Sequence, residues 1–278
     1  LLTCCYNNSM ISKYSHKELT WIDLESPKEE EIIYIGEQYS IPLSIEEEMR
    51  IKNKDSKIKL NSGFISVAFD FPHILHKENK VFADKIIFII NDDFICTIHN
   101  RPLEAINEFL KNLEIDATIE EKLNIKDNGS LFFYLMKSLY VNSKEQLLEN
   151  EEEIKKLENK VIRVKTRKVS ELIYQKNQVL IQTEECISSH SGTLSALPQL
   201  LIQVFGDRFE KYNLAIAGEY SETVNSVKKQ EKNLTNLYNI YNLILVNKNN
   251  KRLKLLTILL VASLVISITT YLYVFYNI

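Results

Sequence analysis

The stretch KRLKLLTILLVASLVISITTYLYVFYNI, residues 251–278, decides the fold because it ends in a long segment without charge. No Asp, Glu, Lys or Arg follows Lys254, and about 20 apolar residues are enough to cross the hydrocarbon core of a membrane. A buried core helix is the alternative, but basic residues before the segment and aromatic residues at its far end favour one transmembrane helix. The flanking residues are Lys248, Lys251, Arg252 and Lys254 before the segment and Tyr271, Tyr273, Phe275 and Tyr276 at its end.

The basic residues also predict the orientation of the chain. Because positive charge stays on the cytoplasmic side, we expect residues 1–254 in the cytoplasm, the helix in the cell membrane and only the extreme C-terminus beyond it. Since the sequence begins with Leu1 and ends inside the membrane segment, we expect a fragment that lacks a further segment after Ile278; a truncated gene product is the alternative.

The 48 residues before the membrane segment, 207–254, predict one continuous helix because they contain no proline and a single glycine, Gly218. A helix of this length needs partners along its side, since helices gain most of their stability from packing. Apolar residues recur at helical spacing and supply one packing face: Leu234, Leu237, Tyr238, Tyr241 and Ile244.

Asparagines form a second face of the same helix. At about 100° per residue, four of them fall within about 80° of one another: Asn236, Asn239, Asn247 and Asn250. A row of amide oxygens lines a hydrated path or replaces part of the water around a hard cation such as magnesium. A solvated helix face is the alternative, and the sequence leaves both open.

Hydroxyl groups share one face of the membrane segment, at Ser263, Ser267 and Thr270. Such a face packs closely against another helix or, less often, forms the wall of a pore. Either role implies an oligomer or a further helix. Because no Asp, Glu, Lys, Arg or His lies in the segment, it holds no proton relay or charged transport site.

The N-terminal part has a different pattern, with short β-branched and aromatic runs that predict strands at 19–25, 59–71, 82–91 and 94–99. Between them, Ser26 as an N-cap and Pro27 at the first helical position predict a helix, and another begins at Pro102. From Ser130 to about Leu194, heptad-like spacing replaces the strand signals. The predicted fold class is α+β, with an α/β domain at 1–129, a helical hairpin region at 130–204, a stalk helix at 205–254 and the transmembrane helix at 255–278.

Composition and candidate chemical sites argue against an enzyme. A net charge of −3 gives no general attraction to nucleic acid, and the four cysteines form no Cys-x-x-Cys pair or disulfide framework, which fits a reducing compartment. His73 and His76 lack the further ligands that zinc needs and are expected on the surface, and six glycines do not make a phosphate loop. Cys96, between apolar neighbours, is expected in a strand core. We find no catalytic constellation and no confident metal site.

The order of these segments resembles the CorA family of magnesium channels over nearly the whole chain. The segments IPLSIEEEMR (41–50) and FICTIHNRPLEAI (94–106) are similar to family segments. Single residues also match the family pattern, early in the chain at Trp21, Asp23, Leu24, Pro27 and Glu29 to Glu31, and before the membrane at Asn250, Lys254, Leu256 and Thr257.

The resemblance implies a homopentamer in the lipid bilayer whose cytoplasmic domains form a funnel and whose long helices line one central pore. It implies no cofactor, with magnesium as the transported ion. By this resemblance the pore-lining residues are Asn239, Asn250, Leu253, Leu256, Leu260, Leu264 and Ser267. The leucines then form a hydrophobic gate that blocks ions by dewetting.

The sequence departs from the family at the pore mouth. The Tyr-Gly-Met-Asn motif of the family is replaced by Tyr273, Val274, Phe275 and Tyr276, and Asn277 lies one position late. At positions where the family often carries regulatory aspartates, this chain has Ser138 and Asn142, which are poor substitutes for carboxylates. We expect a subunit of a divalent cation channel; the alternative is a non-conducting, tail-anchored scaffold or regulatory subunit that has kept the fold.

Overall fold

The computed structural model describes residues 4–6, 9–17, 19–50, 58–115, 119–163 and 167–276. The strands are β1 Cys4–Tyr6, β2 Ser9–His16, β3 Leu19–Glu25, β4 Lys59–Asn61, β5 Phe64–Leu75, β6 Lys80–Ile90 and β7 Ile95–His99. The helices are α1 Glu29–Gln38, α2 Leu43–Glu46, α3 Glu104–Ile115, α4 Ile119–Leu123, α5 Asn128–Arg163, α6 Arg167–Ser188, α7 His190–Phe205 and α8 Glu210–Tyr276.

The seven strands form one mixed sheet in the order β1-β2-β3-β7-β6-β5-β4. Only β3 and β7 pair in parallel among the described strands. The predicted α+β class is confirmed, and so are the strands at 19–25, 82–91 and 94–99, within two residues at their ends. The predicted strand at 59–71 is a hairpin of β4 and β5, because Ser62 (φ 50°) and Gly63 (φ 82°) turn the chain. The sequence did not predict β1 and β2.

Both faces of the sheet are covered, because alternate residues of β6 point to different cores. Ile86, Phe88 and Ile90 join a cluster with α3, α5 and α7. Ile87 and Ile89 join a second cluster with α1 and α2. Burying a side chain of this size stabilises the fold by about 1.5–3 kcal/mol, so the alternation fixes which face each strand presents.

The starts of two helices differ from prediction by two residues. Ser26 is not the N-cap of α1, because its backbone has φ 50° and its hydroxyl donates to the Asn100 carbonyl at 2.7 Å. The helix begins at Glu29 instead, and the backbone N–H of Lys28 donates to the Glu31 carboxylate at 2.7 Å. Similarly, α3 begins at Glu104 rather than at Pro102.

A buried polar network joins β3 to β7 at the face covered by α3 and α5. The indole N–H of Trp21 donates to the Thr97 hydroxyl at 2.9 Å, and that hydroxyl donates to the Asp23 carboxylate. His99 contacts Asp23 through Nε2 at 3.1 Å and the Arg101 carbonyl through Nδ1 at 2.6 Å. Since a carbonyl only accepts, Nδ1 carries a proton, and the carboxylate calls for a second proton on Nε2.

The charge of His99 makes this network sensitive to pH. Burial alone lowers the pKa of His99, but the hydrogen bond to Asp23 and the negative charge of that carboxylate outweigh burial and raise it above the ordinary 6.5. Because the folded-state pKa is raised, the stabilising contribution of His99 is complete below about pH 6.5 and is lost as pH rises through the folded-state value.

We therefore expect the free energy of unfolding to fall as the pH rises above 6.5, and to fall less steeply in His99→Gln. Urea unfolding of the detergent-solubilised chain, followed by fluorescence of Trp21, the only tryptophan, measures it. His190→Gln is the matched control, because burial lowers the pKa of His190 to about 4, below this pH window. An equally steep fall in His99→Gln contradicts the assignment.

Candidate functional site

The candidate site is the face of α8 that the described part of the chain leaves uncovered. This helix runs unbroken for 67 residues, from Glu210 to Tyr276, which is about 100 Å at 1.5 Å per residue. The prediction of one helix through the stalk and the membrane segment is confirmed, although its first three residues, Asp207–Phe209, form a separate 3-10 turn. One rigid element therefore connects the sheet domain to the apolar end of the chain.

The upper half of α8 packs on α5 and α6 through one side. Val227, Leu234, Leu237 and Tyr241 are buried in a cluster with residues of α5 and α6, and Ile244 packs against it. The predicted packing face is confirmed except for Tyr238, which is 48% exposed. Tyr238 lies about 100° beyond Leu237 around the axis, and this rotation carries it off the covered side.

Polar contacts fix the register of α8 against α5. The Asn150 amide donates to the Gln230 side-chain oxygen at 2.9 Å, and the Gln230 amide donates to the Leu147 carbonyl at 2.7 Å. All of these atoms belong to buried residues. The side-chain oxygen of Asn150 has no hydrogen-bond partner in the described part of the chain. A shift by one residue breaks both bonds, so the pair selects one alignment of the helices.

Ion pairs reinforce this alignment nearer the sheet. Lys144 lies 2.6 Å from a Glu219 oxygen and 2.8 Å from a Glu222 oxygen. Partial burial lowers the pKa of Lys144, but the hydrogen bonds and charges of the two glutamates outweigh burial and raise it. The lysine therefore stays charged at neutral pH. Lys229 pairs with Glu151 at 3.3 Å one heptad further along both helices, so α5 and α8 run parallel.

The opposite side of α8 carries the predicted asparagine row. Asn236, Asn239, Asn247 and Asn250 are all exposed. Their side chains are therefore not used to hold the described part of this chain together. The structure brings them onto one uncovered side, as the spacing predicts, but it does not decide between a hydrated path and a solvated surface.

The membrane segment is long and apolar enough to cross a membrane, and its most apolar part is not buried against the rest of the described chain. A buried core helix is therefore excluded for this structure. The leucines of the predicted gate are between 56% and 64% exposed. They are Leu253, Leu256, Leu260 and Leu264.

The hydroxyls of this segment donate to their own helix. Ser267 donates to the Ser263 carbonyl at 2.9 Å, Ser263 to the Leu260 carbonyl at 2.8 Å, and Thr270 to the Ile266 carbonyl at 3.0 Å. With the hydroxyl protons already used, this face presents acceptor lone pairs. Acceptor oxygens suit either a neighbouring helix or a passing cation.

The predicted pore-lining residues occupy one side of α8. At about 100° per residue they fall within an arc of about 120°, and its centre lies about 125° from the centre of the side that packs on α5 and α6. At the far end, Tyr273 and Tyr276 are 73% and 82% exposed. Val274 is 53% exposed, and nothing is described of the Phe275 side chain.

The other candidate ligands hold local structure. Ser138 donates to the Ala105 carbonyl at 3.2 Å, and the Asn142 oxygen accepts from Gln146 at 2.7 Å. The described residues contain no group of three His, Cys, Asp or Glu side chains placed to hold a metal ion. His73 is half exposed, as expected, but the His76 side chain is only 17% exposed, because α5 covers the β5–β6 turn. Cys96 is fully buried, and burial raises the pKa of its thiol.

Comparison with known proteins matches the whole architecture. A family model described as CorA-like Mg2+ transporter protein matches residues 16–270. The complete structure of the CorA magnesium transporter from Methanocaldococcus jannaschii is similar, with a TM-score of 0.73 and 18% identity over 89% of this chain and 77% of that chain. The full-length CmaX protein gives a TM-score of 0.70 at 10% identity, over 86% of this chain and 72% of that chain.

A third similar structure is the cytoplasmic domain of ZntB from Vibrio parahaemolyticus. It gives a TM-score of 0.60 at 12% identity, over 84% of this chain and 91% of that chain. These structures support the fold alone, because their identities are low. A sequence comparison with curated proteins finds no significant match.

The register between α5 and α8 gives a testable prediction. Gln230→Met leaves the Asn150 side-chain N–H buried without its partner and removes the second hydrogen bond to the Leu147 carbonyl, so it should lower the free energy of unfolding by about 1–3 kcal/mol. The double variant Asn150→Leu with Gln230→Met removes both side-chain amides and should recover part of that loss. Urea unfolding of the full chain in detergent measures both values. The single variant Asn150→Leu completes the cycle, and a double variant whose loss equals the sum of the Asn150→Leu and Gln230→Met losses contradicts coupling between these residues.

Proposed function

The chain belongs to the CorA-like Mg2+ transporter family, and we propose on this premise that it is one subunit of a membrane channel that passes magnesium or a related divalent cation. The sheet and the upper part of α8 lie in the cytoplasm, and the lower part of α8 crosses the cell membrane. Ions move down their electrochemical gradient, so no catalytic group takes part. The uncovered side of α8 is the observation that carries this proposal.

The proposal assigns that side to the centre of a ring of identical subunits, five by family resemblance. A helix of about 100 Å with one long uncovered side is unusual for a monomer, because helices are stabilised by lateral packing. In a ring, Asn239 and Asn250 of each copy face the same axis. Their amide oxygens accept hydrogen bonds from water around a cation, which suits magnesium because it gives up its water reluctantly.

Below Asn250 the proposed path becomes apolar. Leu253, Leu256, Leu260 and Leu264 of each copy enclose a constriction that water leaves when it narrows, and a hydrated ion does not pass a dry constriction. Ser267 lies beyond the leucines and returns the path to polar character. Conduction therefore requires the helices to move apart or rotate.

The outer end supports a second candidate function. Tyr276 offers no amide oxygen where the family motif ends in asparagine, and no carboxylate precedes it in the membrane segment. If the mouth does not hold a hydrated cation, the protein is a non-conducting, tail-anchored scaffold or regulatory subunit. Co-purification with an intact channel, together with no flux alone, favours that function.

The gate is tested by a polar substitution on each side of α8. Leu264→Ser should raise magnesium influx into proteoliposomes several-fold over the unaltered chain, because a hydroxyl in a dry constriction favours wetting. Ile266→Ser makes a closely similar change about 3 Å away along the axis and about 200° around it, so influx should stay unchanged. A magnesium-sensitive dye inside the vesicles reports the rate.

The outcomes separate the two candidate functions. Influx in the Leu264→Ser vesicles alone supports the channel and the position of the gate. Equal influx in both variants places the path elsewhere. No influx with any of the three proteins, all confirmed as incorporated by flotation, contradicts conduction by this chain and leaves the scaffold.

A further inference from the structure

A strongly basic segment covers the end of α5 and the start of α6, and the channel proposal does not use it. The sequence KKLENKVIRVKTRK, residues 155–168, contains seven Lys or Arg residues and one acid, in a chain whose net charge is −3. In the described part of this segment, Lys156, Lys160 and Lys168 are exposed. We call these three the hairpin lysines. Lys155 is excluded because it pairs with Glu151 at 3.4 Å.

The register of the helices places this segment toward the membrane. Asn150 lies beside Gln230, and α5 and α8 run parallel, so the end of α5 at Arg163 lies near Leu243. From there to Leu255, where the uncharged segment begins, is about 18 Å along the axis. The headgroup layer takes up about 5–7 Å of that distance. About 12 Å then separates the end of α5 from the headgroups, and the hairpin lysines lie further back. Lys160 and Lys156 are about 4 and 10 Å above Arg163, so their backbones lie about 16 and 22 Å from the headgroups, or about two Debye lengths.

A second basic group fills this gap. Lys248, Lys251, Arg252 and Lys254 form what we call the collar, and no acidic residue lies among them. Lys248 lies about 8 Å beyond the level of Leu243. It also continues the seven-residue spacing of Val227, Leu234 and Tyr241, the buried side chains that pack on α5 and α6. Lys248 is therefore directly below the hairpin, on the same side of α8.

The collar lies outside the arc of the proposed pore-lining residues. At about 100° per residue, Lys248 and Lys251 point about 140° and 160° from the centre of that arc, and Arg252 and Lys254 point about 100° from it. The hairpin and the collar thus form one basic surface on the outer side of α8, above the cytoplasmic leaflet. Charge on this side does not line the path of a cation.

We propose that the hairpin lysines and the collar together bind the headgroups of anionic phospholipids in the leaflet that α8 enters. Each Lys or Arg near an anionic bilayer surface contributes about 1 kcal/mol, and the contribution fades within a Debye length. The collar reaches the first headgroups and supplies most of the attraction, and the hairpin lysines, about two Debye lengths away, add a weaker attraction at the outer rim of the protein. The inference rests on the proposed membrane orientation of α8 and is independent of conduction.

The test measures lipid preference rather than flux. The full chain is reconstituted in phosphatidylcholine vesicles with spin-labelled phosphatidylglycerol or spin-labelled phosphatidylcholine, and the motionally restricted fraction gives the preference for the anionic lipid. The triple variant Lys156→Glu, Lys160→Glu, Lys168→Glu should lower that preference about twofold, because screening weakens the contribution of charges at this distance. The collar is unchanged in this variant, so insertion of α8 should not be affected.

A matched control makes the same charge change away from the membrane. Lys17, Lys28 and Lys111 are exposed and lie in the part of the chain built around the sheet. The triple variant Lys17→Glu, Lys28→Glu, Lys111→Glu should keep the preference of the unaltered chain. Salt at 0.5 M should weaken the preference of the unaltered chain toward that of the hairpin variant, because the Debye length shortens.

Four results overturn the inference. One is an equal loss of the lipid preference in the control variant, because the effect would then come from the net charge of the protein. Another is a preference for the anionic lipid that stays unchanged in the hairpin variant while the number of subunits changes. The lysines would then contact a second copy of the chain. A third is loss of the preference in inorganic phosphate but not in sodium chloride of equal ionic strength, which makes free phosphate the ligand. Failure of the unaltered chain to float with vesicles rejects the membrane orientation itself.

Discussion

The rest of the structure depends on the lateral packing of α8 against α5 and α6. Hydrogen bonds along its backbone do not by themselves hold a helix of about 100 Å in one place, because isolated helices are marginal in water. The buried row of Val227, Leu234 and Tyr241 supplies the apolar contact, and the Asn150–Gln230 amide pair sets its register. Everything below Tyr241, including the membrane segment, takes its height and rotation from this contact.

This contact also determines which side of α8 is available for function. Once one side is covered by α5 and α6, the asparagine row and the predicted gate face away from the chain's own core. A mutation at Gln230 therefore acts on function indirectly, through rotation of the helix, whereas a mutation at Leu264 acts at the path itself. The two effects can be separated because the first changes the stability of the folded chain and the second leaves it nearly unchanged.

Sequence reasoning predicted those parts of the fold that a local pattern determines. The unbroken helix, the strands at 19–25 and 94–99 and the exposed asparagine row follow from residue spacing within single elements. The start of α1 did not follow, because Ser26 is held by the carbonyl of Asn100, which is distant in sequence. The cover over His76 was missed for the same reason, since α5 supplies it. The site residues remain predictions, because their role depends on other copies of the chain.

The distribution of charge around α8 resolves an apparent conflict between a cation path and a basic membrane border. A helix is about 10–12 Å across with its side chains, so Lys248 and Lys251 lie about that far from the proposed path. They therefore repel a cation in the path less than a positive charge on its wall would. Anionic headgroups at the outer rim lie at the same depth as the collar and would neutralise its charge further. The same helix can thus present amide oxygens to a cation on one side and positive charge to lipid on the other, because the packing on α5 and α6 fixes its rotation.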